Sequence, residues 1–243
     1  MKEFSLLENW WQFVLIALIC YFFGSINFAF IISRFMHKDI TKMGSGNPGT
    51  MNVTRELGVK AGVATFFGDA LKGVVPMVIC YFLYCDYRFE GTTVLVSDFV
   101  RYFTAVWVVI GHIFPISKYY KGGKGIASTL GIFWGGLSLE NPWWILLGFV
   151  IAAIIITFIL VTEWGSLGSL FVVSGCRIIQ LVIFFTRYEQ VMTATLNPYL
   201  VCLFMFILAL NLLTWFAHRK NVARLFAGEE HRTSFKKALH KKG

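Results

Sequence analysis

Residues 142–161 read PWWILLGFVIAAIIITFILV, twenty positions without a charged side chain. At 1.5 Å per residue a helix of that length spans roughly 30 Å, the thickness of a bilayer's hydrocarbon core. The stretches 11–35, 62–84, 165–185 and 198–217 are of similar length and nearly as apolar. A chain of 243 residues is too short to bury five such helices inside a soluble core. Composition agrees, because 14% of the residues are charged, against roughly 25% in ordinary soluble domains. Two shorter segments, 99–114 and 126–139, keep the flanking loops on consistent sides when both are counted as spans. The expectation is an all-α integral membrane protein of about seven transmembrane helices, forming one domain over residues 1–243. Five full spans around a re-entrant middle is the alternative.

Lysine and arginine placement orients the chain. With the N-terminus outside, the inside segments 34–60, 114–125, 162–164 and 218–243 hold sixteen Lys and Arg residues, and the outside segments hold only Lys2, Arg88 and Arg187. The sequence therefore predicts an external N-terminus and a cytoplasmic C-terminus. Trp10, Trp11, Trp143, Trp144, Tyr119, Tyr120 and Trp215 fall near predicted boundaries, where amphipathic rings belong. Glu3 and Glu8 precede the first run, which is longer than a signal-peptide core, so it reads as a retained span. The net charge of +9 includes the tail run Arg232-Thr233-Ser234-Phe235-Lys236-Lys237. Topology and anionic lipid headgroups account for it without nucleic acid. The five cysteines (20, 80, 85, 176 and 202) lack any Cys-x-x-Cys spacing, and they read as structural thiols rather than metal ligands.

The polar motifs gather at predicted cytoplasmic ends. Lys121-Gly122-Gly123-Lys124-Gly125 runs into a predicted helix start at Ile126, and glycine-flanked lysines at a helix N-terminus suit a phosphate. A Walker A spacing is absent, so nucleotide hydrolysis is unsupported. A basic turn that merely obeys topology is the competing explanation. Ser45-Gly46-Asn47-Pro48-Gly49 is a turn by composition. Asn52 and Arg55 follow it three residues apart, on one face of any helix there, and the arginine fork suits phosphate. His218, Asn221 and Arg224 also recur at every third position. Asp69 and Lys72 form an i, i+3 pair inside a predicted span, where ionisable groups are normally paired or functional. Arg177 is similar but lacks an obvious local partner. The residues by themselves imply binding of phosphorylated ligands at the cytoplasmic leaflet, with no metal or cofactor motif.

At these positions the chain resembles the bacterial acyl-phosphate:glycerol-3-phosphate acyltransferases. The family pattern S-G-N-P-G-A-T-N-V-x-R is similar to Ser45 through Arg55, and G-H-x-[FW]-P followed by F-K-G-G-K-G-V-A-T is similar to Gly111 through Ser128. D-x-L-K-G is similar to Asp69 through Gly73, a serine-glycine turn to Gly165 through Gly168, and H-x-x-N-[IV]-x-R-L to His218 through Leu225. The matches fall in family order over nearly the whole chain. Three positions depart: Met51 replaces a hydroxyl residue, Gly165 replaces one serine of a pair, and Ala217 replaces a basic residue.

The resemblance implies acyl transfer from acyl phosphate to the 1-hydroxyl of glycerol 3-phosphate, giving lysophosphatidic acid and phosphate, at the cytoplasmic face of a bacterial inner membrane. It assigns catalytic roles to Ser166, His218 and Asn221, and substrate binding to Ser45, Asn47, Asn52, Arg55, Lys121 and Lys124. His112 is expected to brace the lysine-glycine loop. The partners implied are the two substrates and membrane lipids. None of the five histidines has Asp five positions later, which disfavours the acyltransferase class that uses His, four residues, then Asp. A transporter or non-catalytic binding protein for a phosphorylated metabolite, or an inactive paralogue, is the rival reading.

Overall fold

The computed structural model describes residues 1–117, 119, 121–194 and 197–230. Tyr120 and the basic run 232–237 singled out above lie outside the described residues. Six helices are long and apolar enough to cross a membrane. The first apolar run divides into α1 (Leu6–Ser25) and α2 (Phe28–Phe35), and α4 (Val59–Tyr84), α5 (Val96–Ile113), α7 (Trp144–Thr162), α8 (Gly165–Ala194) and α9 (Pro198–Ala217) follow. Helix α6 (Ile126–Glu140) has 15 residues, about 22 Å of rise, and packs between α4 and α7. Two short helices, α3 (Thr50–Leu57) and α10 (Arg219–Phe226), adjoin α4 and α9.

The 11–35 run breaks because Asn27 is a cap. Its Oδ1 accepts the Phe30 N–H at 2.9 Å and its Nδ2 donates to Pro48 O at 3.3 Å. One polar residue thus starts α2 and ties it to the 45–49 turn. The all-α expectation needs one correction. Lys2–Phe4 (β1) and Tyr87–Phe89 (β2) form a two-stranded parallel pair. Its inward residues, Phe4 and Phe89, are buried among aromatic rings, with Phe89 stacked on Tyr199 at 3.8 Å.

Small residues let the helices approach closely, as lipid-embedded packing requires. A Cβ on Gly111 of α5 would stand 2.1 Å from Tyr21 O of α1, and one on Gly131 of α6 would stand 2.4 Å from Ala70 O of α4. At the end that carries the strand pair, the carboxylates of Asp98 and Glu140 meet the guanidiniums of Arg101 and Arg187. Arg187 lies 2.8 Å from Asp98, and Arg101 lies 3.1 Å from it. The apolar run 165–185 continues as helix to Ala194, which carries Arg187 and Tyr188 onto this cluster. Arg177, which lacked a partner in sequence, hydrogen-bonds Gln180 one turn along α8. All the glycine-rich motifs lie at the opposite end of the bundle.

Candidate functional site

At that opposite end a cavity of about 1390 Å³ is lined by all nine candidate residues: Ser45, Asn47, Asn52, Arg55, Lys121, Lys124, Ser166, His218 and Asn221. Four stretches of chain, up to about 175 positions apart, supply these groups to one space. Each is delivered by a local device.

The 45–49 turn is shaped by Asn52, whose Oδ1 accepts the Ser45 N–H at 3.1 Å and whose Nδ2 donates to Met43 O at 2.9 Å. Asn52 is buried, so its amide holds the loop and leaves Ser45 and Asn47 to face the cavity. Gly46, at φ +67°, takes the left-handed turn that only glycine adopts without strain. Arg55 follows on α3 and lines the cavity beside the turn.

The lysine-glycine loop rests on a buried charge cluster. Lys72 Nζ lies 2.9 Å from Asp69 Oδ1, 2.7 Å from His112 Nδ1 and 2.5 Å from Ile26 O. An ammonium can only donate, so Nδ1 accepts and the neutral ring carries its proton on Nε2. That nitrogen faces Gly123, where a Cβ would sit 2.2 Å away, and Gly123 N–H donates back to His112 O at 3.1 Å. His112 therefore braces the loop and also lines the cavity. Gly125 (φ +79°) then turns the chain into α6, whose first N–H groups have no intrahelical acceptor.

Lys124 stands at this helix start with no carboxylate within salt-bridge distance among the described residues. Burial, with Arg224 and Arg55 nearby, lowers its ammonium pKa to about 8, although Glu230 opposes the shift. His218, at the junction of α9 and α10, is buried, and its Nδ1 donates to Thr214 O at 2.8 Å. Burial and the Lys124 charge depress its pKa to about 4. The ring is thus neutral near pH 7, with the Nε2 lone pair as its remaining acceptor.

Asn221 Nδ2 donates to Glu230 Oε1 at 2.7 Å, and Arg224 Nε donates to Oε2 at 2.9 Å. Burial raises the Glu230 pKa, but hydrogen bonds from Asn221 and Arg224, the nearby Ser166 hydroxyl and the Arg224 charge outweigh it and leave the net pKa lowered. Ser166 Oγ helps hold that charge without a hydrogen bond of standard geometry, and it remains a buried hydroxyl facing the cavity. Sequence reasoning missed Glu230. The available signal was Gly228-Glu229-Glu230, an acid pair in a basic tail after a helix-stopping glycine. Gly228 adopts φ +72°, and past this turn Glu230 comes back to line the cavity.

Away from the charges the same cavity continues as an apolar groove. Val63, Phe66 and Phe67 of α4 form one wall, Ile155, Ile156 and Ile159 of α7 the other, and Leu130 and Trp134 of α6 the back. No group of three His, Cys, Asp or Glu side chains that could hold a metal ion occurs among the described residues.

Fold and site together define a polytopic helical membrane protein with a cationic, glycine-lined cavity at one membrane face that opens into an apolar groove. The chain belongs to the glycerol-3-phosphate acyltransferase family, whose model matches residues 14–228. It is similar to the glycerol-3-phosphate acyltransferase of Thermoanaerobacter pseudethanolicus, with 35% identity over 218 residues that cover 89% of this chain and 93% of that protein. The Mycoplasmopsis pulmonis glycerol-3-phosphate acyltransferase is 33% identical over 215 residues, 86% of this chain and 88% of the other. The crystal structure of PlsY (YgiH), an integral membrane glycerol 3-phosphate acyltransferase, in its glycerol 3-phosphate form superposes with a TM-score of 0.72. That likeness has 28% identity and covers 95% of this chain and 100% of that one. The lysophosphatidic acid form of the same enzyme gives a TM-score of 0.70.

Proposed function

We propose that this protein transfers a fatty acyl group from acyl phosphate to the 1-hydroxyl of glycerol 3-phosphate, forming lysophosphatidic acid and inorganic phosphate. The observation that carries this reading is the continuity of one cavity: phosphate-binding groups from four segments at its mouth, and an apolar groove leading from them. Both reactants carry phosphate and one carries an acyl chain. The membrane-enzyme structures to which the chain is similar are glycerol 3-phosphate and lysophosphatidic acid forms.

In this reading Arg55, Lys121 and Lys124 neutralise phosphate charge, while Ser45, Asn47 and Ser166 add hydrogen bonds. Asn52 supports the binding loop from behind. The 1-hydroxyl oxygen attacks the acyl carbonyl carbon. The bond from that carbon to the phosphate oxygen breaks, phosphate leaves with the electron pair, and the hydroxyl proton passes to phosphate. An acyl phosphate is already activated, so positioning and charge stabilisation carry the step. His218, neutral with a free Nε2 acceptor, orients the attacking hydroxyl, and Asn221 is held in register by Glu230. A pKa near 4 makes His218 a poor proton sink, which favours the departing phosphate in that role.

The chain acts as a single domain with seven spans, α6 being the short one. The N-terminus lies outside and the cavity at the cytoplasmic face of a bacterial inner membrane, because the cavity end carries the basic loops. Purified protein given acyl phosphate and labelled glycerol 3-phosphate should release labelled lysophosphatidic acid and phosphate, and Lys124→Ala should cut both about a hundredfold or more. Movement of label into liposomes without product would replace this reading with transport.

A further inference from the structure

The groove ends at one depth on three helices. On α6 the lining runs from Ile126 to Trp134, on α7 from Leu160 to Ala152, and on α8 from Gly165 to Val172. Seven or eight residues at 1.5 Å each place the end about 10–12 Å from the cationic mouth. One turn deeper on α6, Leu137 is buried against Val172 and Val173 and no longer lines the space.

What closes the groove is an indole. The pyrrole edge of Trp134 lies against Gly148 of α7, where a Cβ would stand 2.4 Å from both Cδ1 and Nε1, so the ring occupies room that only glycine leaves. Phe149 of α7 packs on the ring at 5.8 Å between centroids, and Phe66 of α4 meets it edge-on at 6.5 Å. The ring thus bridges α4, α6 and α7 across the end of the groove.

We propose that Trp134, seated on Gly148, is the floor of the acyl-chain groove and determines acyl chain-length selectivity. This rests on the reading of the cavity as an acyl-phosphate site. With C–C bonds near 1.5 Å, an extended chain advances roughly 1.25 Å per carbon, so the floor stops a chain anchored at the α6 N-terminus after about eight to ten carbons. Further carbons turn sideways. Phe67 of α4 and Ile156 of α7 are 57% and 56% exposed on the groove's rim, so the exit leads into lipid between those helices. Methylenes inside the groove gain close packing that fluid lipid does not give, whereas those that leave there stay in fluid apolar surroundings and add little to binding. Catalytic efficiency should therefore climb with chain length up to about ten carbons and flatten beyond.

The test is the ratio of kcat/KM for C14 to C10 acyl phosphate, each presented at the same mole fraction in one detergent or lipid. Trp134→Ala lengthens the groove and should raise that ratio severalfold. The change stays below the tenfold or more per methylene of an aqueous pocket, because the chain comes from lipid. Ala152→Phe fills the groove end from the lipid-facing helix, so C10 and C14 both overhang it; their ratio should stay near wild type while the kcat/KM ratio of C10 to C6 acyl phosphate falls severalfold. Each ratio is internal to one preparation, so reduced folding yield cancels. A C14 to C10 ratio within twofold of wild type in Trp134→Ala, or a C10 to C6 ratio within twofold of wild type in Ala152→Phe, with lysophosphatidic acid still formed, overturns the assignment of Trp134 and leaves the acyltransferase reading in place. A wild-type protein that forms no lysophosphatidic acid from either chain overturns the acyltransferase reading, and this inference with it.

Discussion

Asn221 and Glu230 are joined by a 2.7 Å hydrogen bond from the amide nitrogen to the carboxylate. The same carboxylate holds Arg224, and its charge favours the protonated form of Lys124. One acid thereby orients an amide and an arginine and stabilises an ammonium at the cavity mouth. Glu230→Gln keeps an acceptor for Asn221 but removes the charge. It should lower kcat/KM roughly tenfold to a hundredfold and move the alkaline limb of the pH profile to lower pH. A profile indistinguishable from wild type would show that the charge is irrelevant to Lys124.

Lys124 is expected to set that alkaline limb. Its pKa is lowered to about 8, so the cation is present below pH 8 and is lost as pH rises through that value. A bound phosphate favours the charged form, so the limb belongs to the free enzyme and should appear in kcat/KM for the phosphorylated substrates, with kcat less affected. Lys124→Arg should carry the limb beyond pH 10, because a guanidinium stays charged. Lys124→Ala should cost a factor of about 10² or more at pH 7. An alkaline limb that stays in place in Lys124→Arg would assign it to another group.

Lys72 is buried between Asp69, His112 and a backbone carbonyl. Removing one member of a buried pair leaves the other charge uncompensated, at a cost of about 3–5 kcal/mol. Lys72→Met should therefore lower the thermal midpoint of the detergent-solubilised protein by many degrees. The double variant Asp69→Asn with Lys72→Met should recover part of the loss. If the double variant is no more stable than the single one, the pair is not the source of the effect.

Gly123 offers a milder perturbation of the same support. A methyl group there would sit 2.2 Å from His112 Nε2, so Gly123→Ala must shift the loop or the ring. The expected result is a severalfold rise in KM for the phosphorylated substrates with a thermal midpoint near wild type. A KM that does not move would show that the loop tolerates the shift.

Some features are local and could be read from neighbouring residues. Apolar runs of span length gave the helices, because the backbone in lipid must satisfy its own hydrogen bonds. Glycine beside lysine and Asn at i, i+3 from Arg marked the cavity mouth, since turns and helix faces depend on spacing of a few residues. The break at Asn27 was legible in principle but masked by the apolar residues around it. Glu230 was missed because its partners lie in α10 and beyond the turn at Gly228, and an exposed tail acid looks the same in sequence.

Sequence alone thus determined the membrane class and the stretches of chain that meet at the cavity mouth. Tertiary structure alone decided which side chains offer free groups and which are already engaged. Asn52 turned out to hold its own loop, Lys72 reaches His112 forty positions away, and Arg187 meets Asp98 across eighty-nine. The floor that Trp134 forms on Gly148 was likewise invisible in the sequence. Helix formation follows from short-range periodicity and the solvent, whereas these pairings depend on how close two helix backbones come. Small residues far apart in the chain set that distance jointly.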